Sequence, residues 1–527
     1  MNIELKSQQR PVVSEFPGWQ VLVMFFLFLL LISIPVWTHL LPPLSDYVNH
    51  LARMKVIATI DKDPNLSKFY QIDWAIIPNL TMDLVVPWFT RFVNVYVAGK
   101  IFTVTMFAVI SSGVLMLNRV LTKRWSLVPL LVFPLLYNFV FLTGLINYLF
   151  GVGIAFWALA GWIALRDRPW PFRFVLSALS VGMLFFCHFS ALGVYGMGVM
   201  AFEMMRLWDN RNTRPWGPAI AEFVAGGLPF LAAAPLLAAS PTMRLVARYE
   251  WEPLGKIDGF INVFTVYSDI VAIGMIAVIV AAGSWAVRHR LLSFHPFGWW
   301  IAGVGTVVYL ALPRVLFDSY MADTRIAVPL VYLMIACINV DLTVQIIRRG
   351  FVVMLLVLLA VRMTEVDVSW SDLTEGQNEL RASVRQYIPR GSKVFVAYAD
   401  RASGSDVRDL GLVHAPCIAM IDKSALVTTA FTVLGKQVMH VRPEYHDMVD
   451  TEDGTPPSAA QLVLSAVRPS EDEPAFWQRW TEFDYVFVLF TEEEADNPDP
   501  DKLTMLYEGD RFQLYKVIKS APATGAR

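Results

Sequence analysis

The sequence predicts a polytopic α-helical membrane protein of about 11 transmembrane helices, followed by a C-terminal soluble α/β domain. Three observations carry this expectation. The 527 residues are 56% hydrophobic and only 17% charged, with a mean hydropathy of +0.49. The apolar residues gather in runs of about 20, the length that crosses a hydrocarbon core. Short basic connections recur after every second run, and beyond residue 366 the runs shorten and the composition turns polar.

In order, the apolar runs fall at about 19–40, 99–118, 125–142, 144–165, 173–188, 190–206, 217–239, 267–286, 297–313, 325–343 and 350–366. The first is too long for the core of a signal peptide and lacks a small-residue cleavage site, so it reads as a retained helix. Arg119, Lys123 and Arg124 form one basic connection, and Arg166, Arg168 and Arg173 the next. Arg206, Arg211 and Arg214 follow, then Arg288 and Arg290, then Arg348 and Arg349, while Lys6 and Arg10 precede the first run. The positive-inside rule makes all of these cytoplasmic, together with the N-terminus. Two longer loops, 41–98 and 240–266, then face the other side. An odd number of spans carries everything after residue 366 to that side as well.

Residues 367–527 read as a separate small domain. "GSKVFVAYAD", "APCIAMI" and "FDYVFVLF" are short apolar runs rich in Val, Ile, Phe and Tyr, as buried strands are. "SWSDLTEGQNELRASVRQYI" and "PAFWQRWTEF" supply helical periods, and "TEEEADNPDPDK" reads as a solvated loop. The net charge of −2 suggests neither nucleic acid nor a polybasic membrane patch. Cys187, Cys337 and Cys417 lie far apart, which indicates neither a disulfide framework nor a CxxC metal site.

Charge inside hydrocarbon is costly, so its placement is informative. The middles of the runs are free of Asp, Glu, Lys and Arg, and Glu203 and Glu222 lie toward cytoplasmic ends. Polar residues collect instead at the opposite ends and in the two longer loops. "LPPLSDYVNHLARMKVI" sets Asp46, His50 and Arg53 at helical spacing, and "PNLTMDLVVPW" does the same for Asn79 and Asp83. "LTGLINYLFG" presents Asn147, and "FFCHFSALG" places His188 at a turn between two runs. The second loop offers Arg244, Arg248 and Tyr249, and "LFDSYMADTRIAVPL" brings Asp318, Tyr320, Asp323 and Arg325. Each has a plain structural reading: Asp46 a helix cap, His188 a helix end, Asn147 a turn residue, Asp318 and Asp323 loop caps, His50 and Arg53 an exposed face. Their convergence on one membrane face favours a site for anionic, lipid-linked chemistry.

At these residues the chain resembles the C-type (GT-C) superfamily of integral-membrane glycosyltransferases, in the group of protein O-mannosyltransferases and lipid A aminoarabinose transferases. The resemblance spans essentially the whole chain. A first span precedes a long outer loop that opens with an Asp, in "SDYVNHLAR", and closes on a second acid, in "PNLTMDL". A late loop carries Arg into a Pro-containing span, "ADTRIAVPL", and an outer α/β domain ends in strands like "FQLYKV". The WWD-type motif of oligosaccharyltransferases is absent, so an asparagine acceptor is not supported.

The resemblance implies a multi-pass protein of the bacterial inner membrane with its C-terminal domain in the periplasm. It implies transfer of a single sugar from a polyprenyl-phosphate donor to a cell-envelope glycan, lipid or protein hydroxyl, with membrane lipids around it. Asp46 matches the family's catalytic base. Arg325, Arg244, Arg248 and Arg53 are the cations expected on the donor phosphate. Asp83, Asn79, His50, His188, Asn147 and Tyr320 are the residues expected to orient substrate. No metal or other cofactor is expected, although Asp46 and His50 leave a divalent ion open. Two other classes stand beside this one: a secondary transporter of a small or lipid-linked solute, which would place ionisable residues and repeats at mid-membrane, and a non-catalytic scaffold or sensor. A cavity shared by Asp46, Asp83 and Arg325 would separate the enzyme from both.

Overall fold

The computed structural model describes residues 16–245, 249–316, 319–401, 403–404, 406–451, 455–468, 473–492 and 494–519. The chain is mostly helical. Among the described residues, five helices are long and apolar enough to cross a membrane: Val95–Thr122, Ile146–Ala164, Trp170–Cys187, Trp216–Ala239 and Asp269–Arg288. Gly18–Ile32, Pro296–Ala311 and Thr324–Cys337 are shorter apolar helices. This composition is that of a multi-pass membrane protein.

The 125–142 run departs from the expected span. It forms a 3-10 helix over Val128–Leu135 and a single α-turn over Phe139–Leu142, both largely buried. Pro129 and Pro134 are the reason, since each removes a backbone donor and obstructs the preceding turn. The Pro134 carbonyl accepts from Arg362 Nε at 3.2 Å. Arg362 is fully buried and also pairs with Glu365 at 2.6 Å. The first run is likewise interrupted, ending its first helix at Ile32 before the short Ile34–Thr38 helix that contains Pro35.

Near residue 366 there is no structural break. One helix runs from Gln345 to Tyr387, 43 residues, or about 65 Å, roughly twice a hydrocarbon core. Its apolar half continues directly into the first helix of the α/β region. There a five-stranded sheet has the order Leu503–Gly509, Phe512–Val517, Tyr485–Leu489, Lys393–Tyr398, Leu426–Val427. Lys393–Tyr398 is parallel to both neighbours, whereas the other pairings are antiparallel.

The 41–98 loop is built into this region. Tyr70–Ile72 pairs antiparallel with Met439–Val441. Asp63 receives Arg390 Nη2 at 2.7 Å and Ser424 Oγ at 2.6 Å. Tyr96 donates to Asp422 at 2.8 Å, at the end of Val95–Thr122 opposite Arg119. The loop helices Tyr47–Thr59 and Thr81–Phe89 are therefore clamped between the apolar bundle and the sheet.

Candidate active site

A cavity of about 1070 Å³ opens where the bundle meets the α/β region. Asp46 stands on its wall, at the N-cap position of Tyr47–Thr59. Its backbone is αR and its side chain makes no capping hydrogen bond, so the carboxylate is not spent on the helix. The backbone is held instead by Thr143, whose carbonyl accepts from Asp46 N–H at 3.3 Å. Gly144 makes that approach possible. Its φ is +84°, and a Cβ there would lie 2.7 Å from Asp46 N and 2.9 Å from Asp46 Cβ, so only glycine fits.

Beside Asp46 stands a residue that motif reading missed. His414 Nε2 lies 3.7 Å from Asp46 Oδ1. The orientation of its ring follows from Asn49, which is fully buried. Phe431 N–H donates to Asn49 Oδ1 at 2.9 Å, so the amide nitrogen faces the other way. Asn49 Nδ2 donates to the Thr429 carbonyl at 2.7 Å and to His414 Nδ1 at 3.2 Å. Nδ1 is thereby an acceptor, and the ring proton resides on Nε2, facing the carboxylate. Burial pushes the His414 pKa down to about 4, which keeps the ring neutral. His50 lines the same wall, 5.6 Å ring to ring from Phe431. Burial first, and the neighbouring Arg53 next, hold its pKa well below the usual histidine range.

Arg325 enters from the first turn of Thr324–Cys337. It is 6% exposed. A cation at a helix N-terminus opposes the helix dipole, so the position is not explained by helix stability. Arg325 Nη2 donates to the Tyr320 carbonyl at 3.0 Å, and Nη1 lies 3.1 Å from His188 Nε2. Tyr148 donates its hydroxyl to the Arg325 carbonyl. Arg325, His188, Tyr148 and Tyr320 all line the cavity.

Asn147 and Asn79 line it as well, and they also hold it together. Asn147 Oδ1 accepts from Met82 N–H at 2.8 Å, and its Nδ2 donates to the Asn79 carbonyl at 3.1 Å. Asn79 takes a left-handed φ of 80°, which asparagine tolerates better than most residues. Asn147 is thus both a turn residue and a cavity residue.

Other expected site residues fall elsewhere. Arg53 and Asp83 are sealed against each other in a two-pronged ion pair, 2.7 and 3.1 Å, with side chains 2% and 1% exposed. They do not line the cavity. Here Arg53 and Asp83, expected on the donor phosphate and on the substrate, are brought to each other instead of to the cavity, and together they strut Tyr47–Thr59 to Thr81–Phe89. Burial pushes the Asp83 carboxyl up while Arg53 opposes the rise. Arg244 is exposed and outside the cavity wall, although its neighbours Thr242 and Met243 belong to it. Asp323 is fully buried, capping Thr324 N–H at 2.8 Å and pairing with Lys256 at 2.8 Å. Arg248 and Asp318 lie outside the described residues.

The missed residues come from the α/β region: Tyr398, Arg401, His414, Thr429, Phe431 and Lys436. Tyr398 ends one parallel strand, and Thr429 and Phe431 follow the next. Ligands of open α/β sheets bind outside the carboxyl ends of parallel strands, and that rule was the available signal. Among the described residues, no group of three or more His, Cys, Asp or Glu side chains is placed to hold a metal. No protein-family description matches the chain. No curated protein matches it significantly either.

Proposed function

We propose that the chain is a GT-C-type integral-membrane glycosyltransferase that moves one sugar from a polyprenyl-phosphate donor to a hydroxyl of a cell-envelope acceptor. One observation carries this reading. A carboxylate not used as a helix cap, Asp46, and an arginine set against its own helix dipole, Arg325, face one large cavity at the end of the apolar bundle. A cavity for a solute in transit would sit midway along the bundle; this one is walled partly by the α/β region.

The proposed chemistry balances within those groups. The acceptor oxygen attacks the anomeric carbon, and its proton passes to the Asp46 carboxylate. The bond from the anomeric carbon to the phosphate oxygen breaks, and polyprenyl phosphate leaves with the electron pair. A phosphate leaves without protonation but gains charge as it does so, and Arg325 offsets that charge in a partly dehydrated site. His414, neutral with its proton on Nε2, orients the carboxylate and cannot take the proton in its place.

The membrane frame belongs to the same proposal. The 125–142 run crosses as a broken segment packed inside the bundle and the other ten apolar runs cross as helices, so the odd number of crossings is kept, with the N-terminus cytoplasmic. The cavity and the α/β region then face the periplasm. Supporting this, the basic cluster at Arg119, Lys123 and Arg124 sits at the end of Val95–Thr122 remote from the Tyr96–Asp422 contact.

The decisive experiment is Asp46→Asn, purified in nanodiscs and assayed for sugar transfer and for donor binding. Asparagine caps a helix as well as aspartate but accepts no proton. Turnover should fall about 100-fold or more, with donor affinity and thermal midpoint retained. Near-normal transfer would return Asp46 to the status of a helix terminus.

A further inference from the structure

His188 and Arg325 form a contact that no protonation state of the two satisfies. His188 joins Trp170–Cys187 to Phe189–Asp209 and caps the second helix: Ser190 N–H donates to its Nδ1 at 3.0 Å. A ring nitrogen that accepts a backbone N–H carries no proton, so the neutral ring bears its proton on Nε2. That nitrogen lies 3.1 Å from Arg325 Nη1, which is itself always protonated. Two donors therefore face each other. Rotating the ring by half a turn would set a carbon against Ser190 N–H and lose the cap. Adding a second proton would also break the cap and place two cations side by side.

The guanidinium has no slack to escape. Its Nη2 is engaged by the Tyr320 carbonyl at 3.0 Å, and the backbone behind it receives the Tyr148 hydroxyl. Its Nε is buried and has no hydrogen-bond partner. Arg325 is only 6% exposed, and with the proton of His188 on Nε2 the Nη1 contact there supplies no acceptor either; an unpaired buried donor is costly. The missing component is an acceptor with more than one oxygen.

We infer that His188 Nε2–H and Arg325 Nη1–H together seat one oxygen of a phosphate group, with Arg325 Nε–H available to a second oxygen. The choice of phosphate rests on the glycosyltransferase reading; the need for an anionic acceptor at this point does not. Tetrahedral phosphate offers several acceptor oxygens to a fork of donors. His188 is thus a ligand-binding residue whose tautomer is set by the helix it caps.

The test uses the full-length protein in nanodiscs and measures binding, not transfer. The probes are polyprenyl phosphate, inorganic phosphate, and nanodiscs made with or without an anionic phospholipid. In His188→Asn, the Asn oxygen still accepts Ser190 N–H, but no side-chain donor reaches toward Arg325. The thermal midpoint should hold while polyprenyl phosphate affinity falls about tenfold or more, as for loss of one hydrogen bond to a charged group. Competition by inorganic phosphate would show that the headgroup alone suffices; lipid binding without that competition would assign the site to the lipid-linked form. Loss of polyprenyl phosphate binding only when anionic phospholipid is present would show the same seat taking bulk headgroups.

A second measurement does not depend on the variant. The ¹⁵N spectrum of labelled histidine should show His188 with Nδ1 unprotonated, and its Nε2 signal should move when phosphate ligand is added. Wild-type affinity in His188→Asn, or a ring signal indifferent to every phosphate probe, would overturn the inference. If binding depends on His188 while Asp46→Asn still transfers sugar normally, the phosphate seat stands and the proposed catalytic role of Asp46 fails.

Discussion

Asp46 and Arg53 stand at two places on one helical face, seven residues apart, and they meet opposite fates. Arg53 turns into the gap between Tyr47–Thr59 and Thr81–Phe89 and closes on Asp83 with both its prongs. Asp46, two turns earlier, makes no cap and looks across a cavity toward an arginine from another element. Arg53 and Asp83 form an ion pair, whereas Asp46 and Arg325 share a cavity wall with the carboxylate's charge felt at the guanidinium, and all four are residues that spacing marks as site candidates. In the closed pair two of the three guanidinium nitrogens are engaged by Asp83 and the whole group is sealed from the cavity. In the open one, Asp46 and Arg325 line the cavity, His414 stands 3.7 Å from the carboxylate, and Arg325 Nε has no hydrogen-bond partner. The difference lies in whether packing lets the two partners meet, which spacing along one helix does not encode.

Breaking the closed pair should give the largest effect on stability. Removing one partner of a buried ion pair leaves an uncompensated charge and costs about 3–5 kcal/mol. Arg53→Met or Asp83→Asn should therefore lower the denaturation midpoint strongly, while the surviving folded protein binds donor normally. The double variant Arg53→Met with Asp83→Leu should regain most of the loss, because a packed apolar pair replaces the charges. Denaturation in detergent across the cycle measures this. A folded, stable Arg53→Met protein that had lost donor affinity would move Arg53 into the site.

Much of the architecture was legible beforehand. Basic connections and apolar runs located most of the bundle helices, and two of the three Val-, Ile- and Phe-rich segments located the Lys393–Tyr398 and Tyr485–Leu489 strands, whereas "APCIAMI" forms a 3-10 turn at Ala415–Cys417 and the Ile418–Lys423 helix instead of a strand. The failure at 125–142 is a case of composition outweighing punctuation: the run is apolar enough, but Pro129 and Pro134 disfavour a continuous helix. The site divides in the same manner. Asp46, His50, Asn79, Asn147, His188, Tyr320 and Arg325 do line one cavity. His414 could not be found by spacing, because its relation to Asp46 is made through Asn49 and the packing of a strand loop 365 residues further on.

A smaller effect sharpens the role of that histidine. Its folded pKa, about 4, lies below the usual histidine value near 6.5. Between those limits the unfolded chain binds a proton that the native ring does not, so stability falls as pH drops from 6.5 to 4 and is fully present above 6.5. The loss assignable to His414 is about 3 kcal/mol at most. His50 is depressed in the same direction, whereas the facing Asp46 carboxylate would favour a charged ring. Unfolding of wild type and His414→Gln at pH 4 and pH 7 isolates the contribution. The variant should show the shallower dependence, and identical slopes would mean that His414 is not held neutral by burial.

The smallest effect tests the edge of the cavity. Arg244 lies on the short Pro241–Arg244 turn, whose Thr242 donates to the Gly435 carbonyl at 2.6 Å and so ties the bundle to the α/β region. Thr242 and Met243 face the cavity, but the Arg244 side chain is exposed outside it. An exposed cation contributes to a bound phosphate only through water and salt, where a charge pair is worth a fraction of a kcal/mol. Arg244→Ala should leave donor affinity within about twofold and change stability by less than about 0.5 kcal/mol. Any residual effect should vanish at high ionic strength, as screening requires. The measurement is donor binding by wild type and variant at low and high salt. A tenfold, salt-resistant loss would mean that the 241–244 turn folds inward onto bound donor, and the boundary between spent and available cations would have to be redrawn to include Arg244.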